Sequence, residues 1–148
     1  IVSYHYGAGN HAELKNLFKK SLTLISTWGI CLVLLAQLLA HLLSMLFVGY
    51  DAALLTMTEH GFRIYGLVYL ISGFNIFGSS FFTALNNGGV SAAISFLRTL
   101  LFQIAAVTLL PIRFGINGIW SSISVAELLT LCVTVTFFLT QKKKYHYA

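Results

Sequence analysis

Charge is what this sequence has least of. Nine Lys or Arg and four Asp or Glu serve 148 residues, too few to wet the surface of a globular domain of that length. Proline occurs once and cysteine twice. That composition excludes a disordered chain, and the placement of Cys31 and Cys132 inside apolar runs excludes a disulfide scaffold. Both thiols read as reduced packing residues at lipid depth. Equally missing are a CxxC pair and two His at helical ligand spacing, so no metal site is expected. Gly7-Ala8-Gly9 lacks the strand and later Gly of a dinucleotide loop, and the four acids stand too far apart to assemble a nucleophile, base and orienting acid. The sequence predicts no enzyme, no catalytic residue and no cofactor.

What is present is oil. Apolar residues make up 57% of the chain, mean hydropathy is +0.83, and the few charges crowd into short stretches between long uncharged runs. This layout predicts an all-α, polytopic transmembrane helix bundle rather than a soluble fold. The net charge of +5 comes without a basic stripe interleaved with exposed aromatics, so a nucleic-acid partner is not expected and the positive charge reads as topology information. The first twenty residues are polar and carry Lys15, Lys19 and Lys20, which is no secretory signal. Opening on Ile1 without an initiator Met, in what reads as mid-loop, the chain is expected to be a fragment.

A spanning helix needs about 20 apolar residues, and residues 1–148 read as one membrane segment with four spans. The first covers about residues 21–48 and includes His41. A second, at about 62–85, ends at Asn86-Asn87-Gly88-Gly89, where two amides and two glycines stop a helix. The third, at about 90–110, is expected to end at Pro111 and carries Arg98, close enough to the inner face to snorkel toward headgroups. A fourth, at about 117–140, encloses Glu127 and leaves through Lys142-Lys143-Lys144. An even number of crossings puts both Lys-bearing tails on one side, and the positive-inside rule makes that side cytoplasmic. The connection carrying Asp51 and Glu59 then lies outside, with Arg63 just inside the second span and Arg113 as the outward exception. Trp28 falls within a span and requires packing.

Polar groups inside the spans carry the functional information, because each costs free energy unless paired, hydrated or used. Glu127 lies about ten residues into its span, where a charged group costs roughly 2.5–3.5 kcal/mol. Trp120, Ser124, Thr130, Leu131 and Thr134 share its helical face. Burial favours the neutral carboxyl, so proton exchange and a neutral Glu hydrogen-bonded across helices both satisfy the pattern. In the second span Ser72, Asn75, Ser79, Thr83 and Asn86 recur at spacings of three or four, beside Gly66, Gly73 and Gly78. Such a stripe reads either as close helix packing or as the wall of a substrate or ion cavity. Gln37, His41 and Ser44 repeat the spacing in the first span. The candidate cavity residues are therefore Asn75, Ser79, Glu127, Ser72, Thr83 and Gln37. Phe74, Phe77, Phe81 and Phe82 suit lipid-facing or packing roles, and also stacking on a flat or cationic substrate.

The literal sequence goes further. Ile1-Val2-Ser3-Tyr4 to Tyr6-Gly7-Ala8-Gly9-Asn10, followed by a Lys-bearing entry to a long helix, resembles the loop before the ninth of twelve helices in the multidrug and toxic compound extrusion (MATE) family. Gly61-Phe62-Arg63-Ile64-Tyr65, the run from Gly73 to Gly88, and Ser95-Phe96-Leu97-Arg98-Thr99 are similar to the following helices of its MepA-like bacterial branch. Gly115 to Trp120 and Ala126-Glu127 are similar to the twelfth. The resemblance implies four spans corresponding to helices nine to twelve of a two-lobe transporter that exports drugs or organic cations in exchange for sodium or protons. It also implies a bacterial inner-membrane location and partner helices in the missing N-terminal part of the same chain. Where the sodium-coupled branch has an aspartate in its tenth helix, this sequence has Asn75, whose amide does not exchange protons but whose carbonyl ligates cations. Three alternatives stay open: a lipid-linked oligosaccharide flippase of the same superfamily, a complete four-helix drug transporter acting as a dimer, and a nontransporting membrane scaffold. Poor stability of the isolated segment is expected, since its polar faces would meet lipid.

Overall fold

The computed structural model describes all 148 residues, and every regular element in it is helical. A short helix α1 (Val2–Gly7) precedes α2 (His11–Val48). Asn10 caps α2 by accepting from the Glu13 N–H at 3.1 Å, which satisfies one of the orphan donors of a helix start. At 38 residues and 1.5 Å per residue, α2 is about 57 Å long, so its ends extend past a hydrocarbon layer. Asp51 then caps α3 (Ala52–Gly66) through its Oδ1, which accepts from the Ala53 and Leu54 N–H groups. The stretch expected to be a connection is thus mostly helix, because a strong cap follows directly on the Gly49-Tyr50 turn. After a break at Leu67–Val68, α4 (Tyr69–Ala84) continues at an angle of 42° to α3.

Asn86, at φ +59°, ends that arm, and Asn87 caps α5 (Gly88–Phe96) by accepting from the Val90 N–H. A π-helical stretch, Leu97–Phe102, leads into α6 (Gln103–Tyr145). The helix runs through Pro111 instead of ending there, and reverses at Gly115, whose φ of +56° and ψ of −135° suit a residue without Cβ. A Cβ on Gly118 would collide with the Leu110 carbonyl oxygen, which places the two arms of this hairpin backbone to backbone. Pro111 costs one helical hydrogen bond near the tip, while the turn itself needs the left-handed conformation that glycine supplies.

The helix His11–Val48 and the stretch Gly88–Tyr145, the latter folded back at Gly115, are long and apolar enough to cross a membrane, and the bent α3–α4 pair makes up to three candidates. The pairing is antiparallel between α2 and α3–α4, as Gln37–Arg63 and Phe18–Phe81 contacts show, and antiparallel again between α4 and α5. Only 25 of 148 residues are buried, and Leu38, Leu46 and Phe47 are 73–78% exposed, so the outer surface requires a nonaqueous cover. Cys31 and Cys132 are free and lie on that surface rather than in packing. Trp28, expected to be packed, is 60% exposed.

The core sits at one end. Leu14, Phe18, Phe81, Phe82, Leu85, Ile94, Tyr145 and Tyr147 form one buried cluster, with Phe18 and Tyr147 rings 5.0 Å apart. The start of α2 and the end of α6 therefore meet, and so do the two tails. Tyr147 donates to the Phe138 carbonyl at 2.9 Å, and burial pushes its phenol above the ordinary tyrosine range.

Candidate functional site

The centre of the bundle holds a closed polar cluster built from three arms. Asn75, fully buried in the middle of α4, faces the second arm of α6 because Gly78, one turn on, admits close approach. A Cβ there would collide with the Thr134 methyl. The Asn75 Nδ2 donates to the Glu127 main-chain carbonyl at 2.8 Å and to its Oε2 at 2.7 Å. In return the Asn75 Oδ1 accepts from Thr134 Oγ1 at 3.0 Å. From the third arm Arg98 donates its Nε–H to Glu127 Oε1 at 2.7 Å. Arg98 is the second residue of the π-helical stretch, where an extra residue per turn resets the face that a helix presents.

Each carboxylate oxygen of Glu127 thus has a donor. The side chain is 7% exposed and that of Arg98 26%, so the pair is nearly dry and opens only on the Arg98 flank. A charge-assisted bond of this length is among the strong ones, and it answers the cost of placing either charge in an apolar bundle. None of the cavities on the chain is lined by Asn75 or Glu127.

The polar stripe of the second span divides. While Asn75 turns to α6, Ser79 and Thr83 turn to α5, where Ser79 Oγ lies 2.9 Å from Ser91 Oγ and 2.8 Å from Ser95 Oγ, and Thr83 Oγ1 lies 2.7 Å from Ser91 Oγ. Ser72 lines a shallow groove of about 300 Å³ beside Trp28, Tyr69 and Ile76. Gln37 is not brought to the others. It holds the α2–α3 seam, donating from Nε2 to the Arg63 carbonyl at 2.8 Å while Arg63 donates to the Gln37 carbonyl at 3.1 Å. On the same seam Glu59 accepts from Arg63 at 2.7 Å and pairs with His41 Nδ1 at 2.8 Å.

Sequence reasoning missed Arg98, which pairs inward instead of snorkelling. The available signal was that the one base and the one acid embedded in the last two spans lie on opposite arms of a single hairpin. Ser91, which links Ser79 to Thr83 in the hydroxyl network, carried no such signal.

Comparison with known proteins decides the family. The model of the MatE family matches residues 1–108. The chain belongs to the MatE family. Asn75 and Arg98 fall within the matched residues, and Glu127 and Thr134 lie beyond them. No curated protein and no solved structure matches the chain. Membership makes it part of a membrane transporter, in keeping with its apolar helices.

Proposed function

We propose that this MatE chain is the C-terminal portion of a two-lobe secondary antiporter of the MepA-like branch, exporting drugs or organic cations in exchange for sodium or protons by alternating access. In this reading α2, the α3–α4 pair and the two arms of the α5–α6 hairpin make four crossings of a bacterial inner membrane, with both tails cytoplasmic. The partner helices are those of the same protein's other lobe.

The observation that carries the reading is the cluster of Asn75, Arg98 and Glu127, which holds the most deeply buried ion pair of the bundle. Embedded charge is expensive and is retained where it works. With both oxygens occupied, Glu127 has two arrangements: closed on Arg98 and Asn75, or open to a cation that displaces one of them. Such a cluster is a two-state element whose balance a bound cation shifts, which alternating access requires. Arg98, with its partly exposed flank, is the side from which the cavity between lobes reaches the pair. Ser79 and Thr83 join α4 to α5, Ser72 lines the outer groove and Gln37 holds the α2–α3 seam, so these four serve as wall and seam residues away from the pair. Because Arg98 is already paired, little positive charge is left to hold a lipid-linked phosphate, which favours antiport over a flippase.

The test is export of a fluorescent organic cation from everted vesicles containing the full-length transporter, driven by an imposed sodium or proton gradient. Glu127→Gln and Asn75→Ala are expected to reduce gradient-driven export at least tenfold at equal folded yield. Unchanged export with a lowered folded yield would show that the cluster only joins helices.

A further inference from the structure

The two ends of the bundle differ in charge, and the difference points outward to a partner. Lys15, Lys19 and Lys20 at the start of α2 and Lys142, Lys143 and Lys144 at the end of α6 are all exposed, and none enters an ion pair. They belong to one surface, because the elements that carry them meet through Phe18 and Tyr147, 5.0 Å between rings, and through His11 and His146, 5.1 Å between rings. The only acid on these two stretches is Glu13, which accepts from the neighbouring Asn16 side chain. At the opposite end Asp51 caps a helix and Glu59 is paired with Arg63.

Where the lysines stand along the helix axes matters as much as their sign. Lys20 directly precedes the apolar run of α2, and Lys142 follows that of α6 after a single Gln. Both triplets are therefore at the level where hydrocarbon gives way to headgroups. Helix α1 lies at the same level, since Tyr6 packs 5.5 Å from Tyr145 between rings. Its Val2 and Tyr6 rest on the aromatic cluster, whereas Tyr4 is 74% exposed. An aromatic side chain presented beside unpaired lysines is the pattern of a surface that lies in a charged interface.

We propose that this collar is a binding surface for anionic phospholipid headgroups, with the lysines ligating phosphate while Tyr4 dips to the headgroup boundary. The proposal depends on membrane insertion but not on the transport reading. A lysine near an anionic bilayer surface contributes about 1 kcal/mol, which converts to roughly a fivefold preference for each lysine that a lipid touches. Lysines already neutralised by protein acids would give none.

The experiment is competition between spin-labelled phosphatidylglycerol and spin-labelled phosphatidylcholine for the full-length transporter in phosphatidylcholine bilayers, read by electron spin resonance. The expected result is at least a fivefold preference for phosphatidylglycerol at 0.05 M salt, falling toward unity at 1 M, where the screening length shrinks to about 3 Å. The triple variant K142Q/K143Q/K144Q should lose at least half of the preference, and K142R/K143R/K144R should keep it. Equal binding of the two lipids by the unaltered protein, a preference that survives 1 M salt, or full preference in the Gln variant would each overturn the proposal. The salt series needs no substitution, so a folding defect in a variant leaves the test intact.

Discussion

Two Arg–Glu pairs in this bundle are chemically alike but physically different: Arg98–Glu127 joins two arms, whereas Arg63–Glu59 lies within α3, one turn apart. Arg98 and Glu127 meet at 2.7 Å with side chains 26% and 7% exposed, whereas Arg63 and Glu59 meet at the same distance with side chains 45% and 25% exposed. Distance alone would rank them equal. Burial separates them, because water and ions screen the outer pair, while nothing but Asn75 and Arg98 answers the charge of the inner carboxylate. The outer pair also has a reserve, since Glu59 reaches His41 as well. The exposed pair adds little within one helix, and it is His41 that carries Glu59 across to α2; the buried pair makes the centre of the bundle intolerant of a missing partner.

That contrast breaks first at Glu127. Replacing it by Ala leaves Arg98 without its partner in a dry site, and a loss of about 3–5 kcal/mol is expected in detergent thermal melts of the full-length transporter. A loss under about 1 kcal/mol would mean the inner pair is wetter than its geometry indicates. Next is Asn75→Leu, which keeps the volume roughly but strips donors from Glu127 and an acceptor from Thr134, at a cost of about 2 kcal/mol by the same melts. Tyr147→Phe removes one hydrogen bond to the Phe138 carbonyl and is expected to cost about 1 kcal/mol at neutral pH.

Tyr147 also sets a pH dependence. Its folded-state value lies above the ordinary one because burial disfavours the phenolate, so its contribution is fully present below pH of about 10 and is lost as pH rises beyond that. A Phe variant should show a flatter alkaline limb in a pH series of melts. Smallest of all is Glu59→Gln at the outer seam, for which no shift in melting temperature is expected at 0.15 M salt, since His41 and Arg63 return to water. A shift comparable to that of Asn75→Leu would erase the distinction between the two pairs.

Helical membrane character was fully legible in the sequence, because long apolar runs and scarce charge leave one class of structure. The polar faces that carry Asn75 and Glu127 were each marked in the sequence, with Thr134 already on the Glu127 face, but that the two faces meet was not. Neither was hairpin geometry. Pro111 outranks Gly115 as a helix breaker on local rules, yet the reversal needs a positive φ and falls at the glycine. That displacement brings Arg98 opposite Glu127, a contact that no local periodicity encodes. Nor does periodicity reveal that one polar stripe serves two neighbours, with Asn75 turned to α6 and Ser79 and Thr83 to α5. The α3 helix was hidden for a different reason: its charged residues resemble a loop, and only the Asp51 cap and its partners on α2 hold it as a helix.

The central claim is that Arg98 and Glu127 act as one unit across the hairpin. A double-mutant cycle of Arg98→Met and Glu127→Leu, followed by thermal stability of the full-length transporter, addresses it directly. The account predicts a coupling energy of at least about 2 kcal/mol, with the double variant more stable than either single one. Additivity of the two substitutions to within about 0.5 kcal/mol would contradict it.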